Sequence, residues 1–246
     1  MHRFFIPRSQ IIENLLLLKG SEWHHCRTVL RAKKGDLITL FDGEGTEYIT
    51  EINEMDRRAA KLKLLQKNFS NRLPYSIHLA QALPKSKPMD FIVQKATELG
   101  VCEIIPMLSE RSVVKLRKDE ANSKLSRWQD IAIEAAKQCG LNWLPQISHP
   151  QTVKEVVTNC SKYHLALIGS LQAHAKPLWS YLSEINQRIR NAIIMIGPEG
   201  DFAPAEIEMA CSAGFRPLNL GPTVLRCDTA AIYSISTLIY ELSRLK

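Results

Sequence analysis

No stretch of this 246-residue chain approaches the roughly 18 consecutive apolar residues of a membrane-spanning helix. The start is basic, through Arg3 and Arg8. The only nearby apolar block, Leu15 to Leu18, is too short for the core of a secretory signal. Six cysteines stand at positions 26, 102, 139, 160, 211 and 227, and no two form a Cys-x-x-Cys pair. Reduced thiols and a cytoplasmic location are the expectation. No His and Cys spacing matches a zinc site, so no metal is expected. The adjacent His24 and His25 cannot share a helix face as residues one turn apart do. The chain also lacks Gly-x-x-x-x-Gly-Lys-Ser/Thr, a Gly-x-Gly-x-x-Gly after a strand, and Gly-x-Ser-x-Gly. P-loop hydrolysis, dinucleotide-dependent redox chemistry and serine hydrolysis lose their usual signatures with them.

The length fits one large domain or a small one followed by a larger one. Lys and Arg number 32 against 25 Asp and Glu, a net charge of +7 that hints at a polyanionic partner. Residues 1–73 hold 13 basic and 9 acidic residues, whereas 74–246 hold 19 and 16. The shorter segment is therefore the more basic per residue. It also reads as β. Leu37 to Phe41 is followed by Asp42-Gly43-Glu44-Gly45 and then Thr46 to Ile52, a hairpin signal, because both glycines accept a positive φ. Ala59 to Leu65 alternates apolar and basic residues. Three or four short strands in about 70 residues suggest a small barrel. Asn68 to Pro74 reads as a linker, which divides the chain into 1–73 and 74–246.

The second segment alternates strand and helix. Ile77 to Leu83 is a strand, and Pro88 then opens a helix that stops at Gly100. Glu103 to Met107 is the next strand. Leu125, Trp128, Ala132, Ala135 and Cys139 step by three and four, the period of an amphipathic helix. Thr152 and Glu155 have the spacing of a capping box. His164 to Ile168 and Ala192 to Ile196 are short apolar strands of the buried parallel type. Pro204 begins a helix ending at Gly214, and Asp228 is placed to cap a last one. The alternation predicts an α/β domain with a parallel sheet.

Chemistry concentrates in two loops. Ile193 to Ile196 runs straight into Gly197-Pro198-Glu199-Gly200-Asp201, with a helix at Pro204. Ligands in open α/β sheets bind beyond the carboxyl ends of strands. Two readings stand, a ligand-facing loop and a plain tight turn. Leu218-Asn219-Leu220-Gly221-Pro222 repeats the pattern before Arg226, Asp228 and Thr229. If the two strands are neighbours, both loops line one pocket. Arg226 either pairs with Asp228 or faces an anion. In the first segment, Trp23 to Lys34 sets cations beside aromatic rings, which suits RNA. An ordinary solvated basic stretch, with His24 or His25 packing, is the alternative. Lys85, Ser86 and Lys87 end the first α/β strand, on the edge of the expected pocket. Arg111, Lys115, Arg117 and Lys118 follow the second.

Further motifs follow one another along the chain. They are Met1-His2-Arg3-Phe4-Phe5, His24-His25 through Val29-Leu30-Arg31 with Gly35-Asp36, Gln81-Ala82-Leu83-Pro84-Lys85, and Gln94 through Val101. Ser109-Glu110-Arg111-Ser112, Arg127-Trp128 and Glu134 through Gln138 come next, before the two Gly-Pro loops and Thr229-Ala230. In order and spacing these resemble the RsmE family of 16S ribosomal RNA methyltransferases, of the SPOUT superfamily. Three positions depart from the family pattern. Asp201 stands where a Gly is usual, Leu141 where an Arg is usual after Gly140, and Asp228 replaces a Glu.

The resemblance implies an α/β SPOUT domain with a C-terminal trefoil knot roughly at 190–235, preceded by a PUA-like β-barrel that binds RNA. It implies a homodimer with the cofactor site beside the subunit interface. The activity implied is methyl transfer from S-adenosylmethionine to N3 of a uridine in 16S rRNA of the small ribosomal subunit. Met195, Ile196, Gly197, Pro198, Glu199 and Gly200 would hold the cofactor, with Leu218, Asn219, Leu220, Gly221, Val224, Leu225, Arg226, Thr229 and Ala230. Arg3, Arg8, His24, His25, Arg27, Arg31, Lys33, Lys34, Lys85 and Lys87 would meet RNA. Arg226 and Arg111 are the candidates for stabilising charge on the uracil oxygens. Glu199 is either a base or orienting group, or a structural part of its loop. A ribose 2′-O-methyltransferase of the same superfamily and a non-catalytic RNA-binding assembly factor are the alternatives.

Overall fold

The computed structural model describes residues 2–12, 15–85, 88–112, 118–185 and 187–244. Contacts divide the chain into two compact units, Met1–Arg72 with Ile133–Leu144, and Leu73–Ala132 with Pro145–Lys246. No helix among the described residues is long and apolar enough to cross a membrane. All six cysteines are free.

The first unit holds β1 (Arg3–Phe5), β2 (Ile11–Ile12), β3 (Leu15–Lys19), α1 (Gly20–His24), β4 (Leu37–Phe41), β5 (Thr46–Met55) and β6 (Ala59–Phe69). The strands form one sheet in the order β1-β4-β5-β6-β3-β2, antiparallel except for β1 beside β4. There are thus six strands rather than three or four, and β5 and β6 are long. The period-two pattern of β5 buries Thr46, Tyr48, Thr50 and Ile52. Ile52 joins Phe4, Leu16, Leu18, Trp23, Ile38, Leu40 and Leu62 in one core. Register shifts between Ile49 and Thr50 and between Ile52 and Glu54 bend the β5–β6 ladder. After α1 the chain continues as one wider π turn, His25–Val29.

The segment 133–144 belongs to this unit through specific contacts. Trp143 lies on Gly45, whose φ is +99°. A Cβ there would stand 2.5 Å from the Trp143 ring. The indole N–H donates to the Ser70 carbonyl at 2.8 Å, and the Arg72 guanidinium lies 4.0 Å over the ring. Leu141 and Asn142 accept hydrogen bonds from Arg3, at 2.8 and 2.5 Å.

The second unit contains β7 (Ser76–Ala82), α2 (Pro88–Glu98), β8 (Glu103–Leu108), α3 (Lys118–Cys139), β9 (Gln146–Ile147), β10 (Gln151–Thr152) and α4 (Val153–Thr158). It continues with β11 (Leu165–Gly169), α5 (Leu178–Ser183), β12 (Asn191–Ile196), α6 (Pro204–Ser212), β13 (Arg216–Leu218) and α7 (Cys227–Arg244). Helix α3 passes to the first unit from Ile133 onward. The sheet order is β10-β8-β7-β12-β11-β13, with β9 also on β8, and every pairing is parallel. Both faces are apolar, as a parallel sheet between helices requires. Ile77, Leu79, Ile104, Leu167 and Ile194 pack toward α2 and α7. Ala80, Ile105, Ile168, Ile193 and Met195 pack toward α4 and α6. The predicted Thr152–Glu155 capping box is present. Helix α7 starts at Cys227, so Asp228 lies in its first turn, where its carboxylate accepts from the Thr229 N–H at 2.8 Å.

Candidate functional site

Because all sheet pairings in the second unit are parallel, the strands' carboxyl ends share one edge. A cleft of about 730 Å³ opens there, the size of a small-molecule site. Three loops line it. Gly169 ends β11 and Ser170 and Leu171 follow it, Ile196 ends β12 and Gly197 to Asp201 follow it, and Asn219 to Cys227 follow β13. Pro88 of α2 and Ala230 of α7 complete the wall. The strands carrying the two Gly-Pro loops are not neighbours, since β11 lies between them. The loops share a cavity across that strand, and the end of β11 becomes part of the site.

Most of the expected cofactor residues are brought together. Ile196, Gly197, Pro198, Glu199, Gly200, Asn219, Leu220, Gly221, Val224, Leu225, Arg226 and Ala230 all line the cleft. Met195, Leu218 and Thr229 stand outside the lining. Met195 is buried against the α4–α6 face. The Leu218 carbonyl accepts from Ser170, and the Thr229 amide donates to Asp228. Asp201, Pro222, Thr223 and Cys227 also line it, on the two loops that the sequence singled out, whereas Gly169, Ser170, Leu171 and Pro88 were not anticipated. A Gly-Ser pair after an apolar strand is the only local signal of the β11 residues.

Gly221 has φ +118°, a region closed to most side chains, and its N–H donates to Asn219 Oδ1 at 2.8 Å. Asp201 takes a left-handed φ of +60°. Its N–H closes a turn on the Pro198 carbonyl at 3.0 Å, and its carboxylate accepts from Phe202 at 2.8 Å. A short polar side chain tolerates this conformation, so Asp201 serves where a glycine would be expected.

Charged groups fix the loop after β12 from both sides. Glu199 accepts from the Lys85 main-chain N–H at 3.1 Å. Arg111 donates from Nη1 to the Gly200 carbonyl at 2.8 Å. Arg226 is 82% exposed, and its Nε stands 3.9 Å from Asp228 Oδ1. That contact is long, so the guanidinium remains available at the mouth of the cleft. Burial, reinforced by the nearby Glu199 and Asp228 charges, pushes the Cys227 thiol up. It stays protonated near neutral pH and is a poor nucleophile. Among the described residues, no group of three or more His, Cys, Asp or Glu side chains is placed to hold a metal ion.

The expected RNA residues divide by environment. Arg3 is largely enclosed, paired with Glu47 at 2.6 Å and bonded to 141 and 142, so its role is internal. Arg8 is exposed and pairs with Glu44 at 3.1 Å. His25 packs edge-on against Phe4 but is exposed overall, as is His24. Arg31, Lys33, Lys34 and Lys85 are exposed, and Arg27 is half-buried. The β5–β6 turn adds Arg57 and Arg58, which the sequence did not single out. The amides of Arg58 and Ala59 hold the Asp56 carboxyl below the usual carboxylate range, with Arg58 and Arg27 charges close by. Arg27 and the turn therefore share one basic surface. Lys87, Lys115 and Arg117 lie outside the described residues, as does the side chain of Lys118.

Residues 71–239 match the family described as RNA methyltransferase domain, and residues 18–65 match RNA methyltransferase PUA domain. The chain is 33% identical to ribosomal RNA small subunit methyltransferase E of Synechocystis, over 96% of this chain and 76% of that one. It is 30% identical to the protein of that name from Bacillus subtilis, over 100% and 99% of the two chains. A Legionella pneumophila protein, solved in complex with the bound cofactor S-adenosylmethionine, superposes with a TM-score of 0.88 at 34% identity, covering 97% of both chains. Ribosomal RNA small subunit methyltransferase E of Neisseria gonorrhoeae, bound to S-adenosylmethionine, superposes at 0.86 with 30% identity over 98% of each.

Proposed function

We infer, from the premise that this chain belongs to the ribosomal RNA small subunit methyltransferase E family, that it transfers a methyl group from S-adenosylmethionine to N3 of a uridine in 16S rRNA. The observation that carries this reading is the cleft across the ends of β11, β12 and β13. Its residues fit the cofactor. Ile196, Leu220, Leu225, Ala230 and Pro88 offer an apolar wall for a flat base, and Glu199 and Asp201 offer carboxylates toward cationic groups. Backbone of the Gly197–Asp201 and Asn219–Arg226 loops supplies donors and acceptors.

When bound, S-adenosylmethionine supplies a methyl group already activated by its sulfonium charge. The chain's own task is to align the nucleophile and exclude water. Loss of the uracil N3 proton spreads negative charge onto the two flanking carbonyl oxygens. Arg226, exposed beside the first turn of α7, is the group that stabilises that charge, with Arg111 as the second candidate. Glu199 either receives the proton or orients the base edge while its carboxylate holds the Lys85 amide. The target base is presented unstacked, as chemistry on a base edge demands. Exposed cations of the first unit, Lys33, Lys34, Arg57 and Arg58 among them, meet phosphates.

In the same reading the first unit is a PUA-like barrel and the chain at 190–235 is threaded as a trefoil knot. The protein is a cytoplasmic homodimer with the cleft beside the subunit interface. Exposed Tyr233 and Tyr240 on α7 and Phe91 on α2 supply apolar surface for that contact. Mass mapping of rRNA from a strain lacking this gene, with and without the gene restored, tests the function. Loss and recovery of N3-methyluridine in 16S rRNA is the expected result. Loss of a ribose methyl instead overturns the site of transfer, and an unchanged rRNA overturns the activity.

A further inference from the structure

Two helices of the second unit begin on similar sequence, Thr152 to Glu155 and Ala203 to Glu206, but close differently. At α4 the box is shut on itself. Glu155 Oε2 accepts from both the N–H and the hydroxyl of Thr152, at 2.7 and 2.8 Å, and the Glu155 N–H donates to that hydroxyl at 3.3 Å. At α6 the capping residue is Ala203, which has no side-chain oxygen. Only one half of the box remains, the Ala203 N–H donating to Glu206 Oε2 at 2.9 Å. The other oxygen, Oε1, accepts from the N–H of Glu110 at 2.8 Å, in the turn that follows β8. Glu206 is only 8% exposed. A buried carboxylate thus joins two main-chain amides 93 positions apart, at residues 110 and 203.

We propose that Glu206 is a positioning residue that holds the Gly197–Asp201 loop in its cofactor-binding shape. The loop reaches Ala203 two residues after Asp201. It is therefore tied at its end by Glu206 and in its middle by Arg111, whose guanidinium holds the Gly200 carbonyl. Glu110 and Arg111 are adjacent in one turn, closed by the Ser112 N–H on the Ser109 carbonyl at 3.0 Å. Two neighbouring residues of that turn thereby fix Gly200 within the loop and, through Glu206, Ala203 just beyond its end. Capping α6 requires neither Oε1 nor its reach to another strand's loop. The proposal rests on the reading of this loop as part of the S-adenosylmethionine site.

Calorimetric titration of the full chain with S-adenosylmethionine, with thermal unfolding of the same samples, tests it. Glu206→Gln keeps the shape but sets an NH2 group against one of the two donors. Glu110→Pro removes the Glu110 N–H together with an exposed side chain, at the second position of a turn where proline's φ is accepted, and leaves the bond from the Ala203 N–H to Glu206 in place. Glu155→Gln weakens the α4 cap and serves as the control. The expected result is cofactor binding weakened about tenfold or more in Glu206→Gln and Glu110→Pro, with Glu155→Gln binding as the native chain does. Native-like affinity in Glu110→Pro overturns the proposal even where Glu206→Gln does not fold. Weakening in Glu155→Gln equal to that in Glu206→Gln also overturns it, since cap loss alone would then suffice. A native chain that fails to bind the cofactor overturns the reading of the site, and the proposal with it.

Discussion

The main-chain N–H of Lys85 donates to both carboxylate oxygens of Glu199, at 3.1 and 3.4 Å, so the loop after β7 is pinned to the loop after β12. This bond needs only an acceptor, and a glutamine oxygen supplies one. Glu199→Gln is therefore expected to keep turnover within about tenfold of native, while Glu199→Ala loses cofactor affinity. Steady-state kinetics on rRNA decide the matter. A loss of about 10³-fold in Glu199→Gln would identify a proton acceptor instead.

Arg226→Ala should lower kcat by about 10²-fold or more, if its guanidinium faces the charge that develops on the uracil. The unfolding temperature should not move. The side chain is mostly exposed, and its 3.9 Å approach to Asp228 contributes little to stability. Unchanged turnover in a folded variant would remove Arg226 from the catalytic set.

Gly45→Ala should destabilise the chain by about 2 kcal/mol or more, through the positive φ and the collision with Trp143 together. Denaturant unfolding followed by tryptophan fluorescence measures this.

Acid should act partly through Glu103. The His78 ring nitrogen at 2.9 Å is the main cause that holds its carboxyl below the usual glutamate value of 4.5. Ser148 adds to the effect, and burial opposes it. The folded chain therefore releases this proton more readily than the unfolded one. The resulting stability is complete above the unfolded value and is lost as pH falls through the lower, folded value. His78→Phe should be less stable than native at about pH 6, yet lose stability less steeply between about pH 5 and pH 3. Thermal unfolding against pH gives both slopes.

RNA binding should weaken with salt, and removing a phosphate-contacting charge should lower the slope of log K against log salt by about one. Lys33→Ala, Lys34→Ala, Arg57→Ala and Arg58→Ala are the variants to compare. Arg3→Ala should instead lower stability, because its pairing with Glu47 and its bonds to 141 and 142 are internal.

The strand and helix order of the second unit was legible because each element carries its own period. Trp128 and Ala132 repeat at helical spacing, and Ile193 to Ile196 form a short apolar run bounded by Gly197. The placement of β11 between β12 and β13 was not legible, since the order of parallel strands is set by packing between distant elements. That is why Gly169, Ser170 and Leu171 were missed. The fate of Arg3 was hidden for the same reason, its acceptors lying some 138 residues away. An exposed cation and an enclosed one look alike in a basic stretch. The short strands at Ile11 and Leu15 carry no clean sequence alternation, so only the pairing of β3 with β6 and of β2 with β3 reveals them.

The intrusion of residues 133–144 into the first unit has a consequence for heredity. A gene fragment ending at codon 72 would encode six strands but neither Trp143, which covers Gly45, nor Leu141 and Asn142, which receive Arg3. A single crossover between two such genes would join a sheet from one parent to a covering segment from the other. The amino-terminal unit therefore passes between lineages intact only when the end of α3 and the five residues after it travel with it.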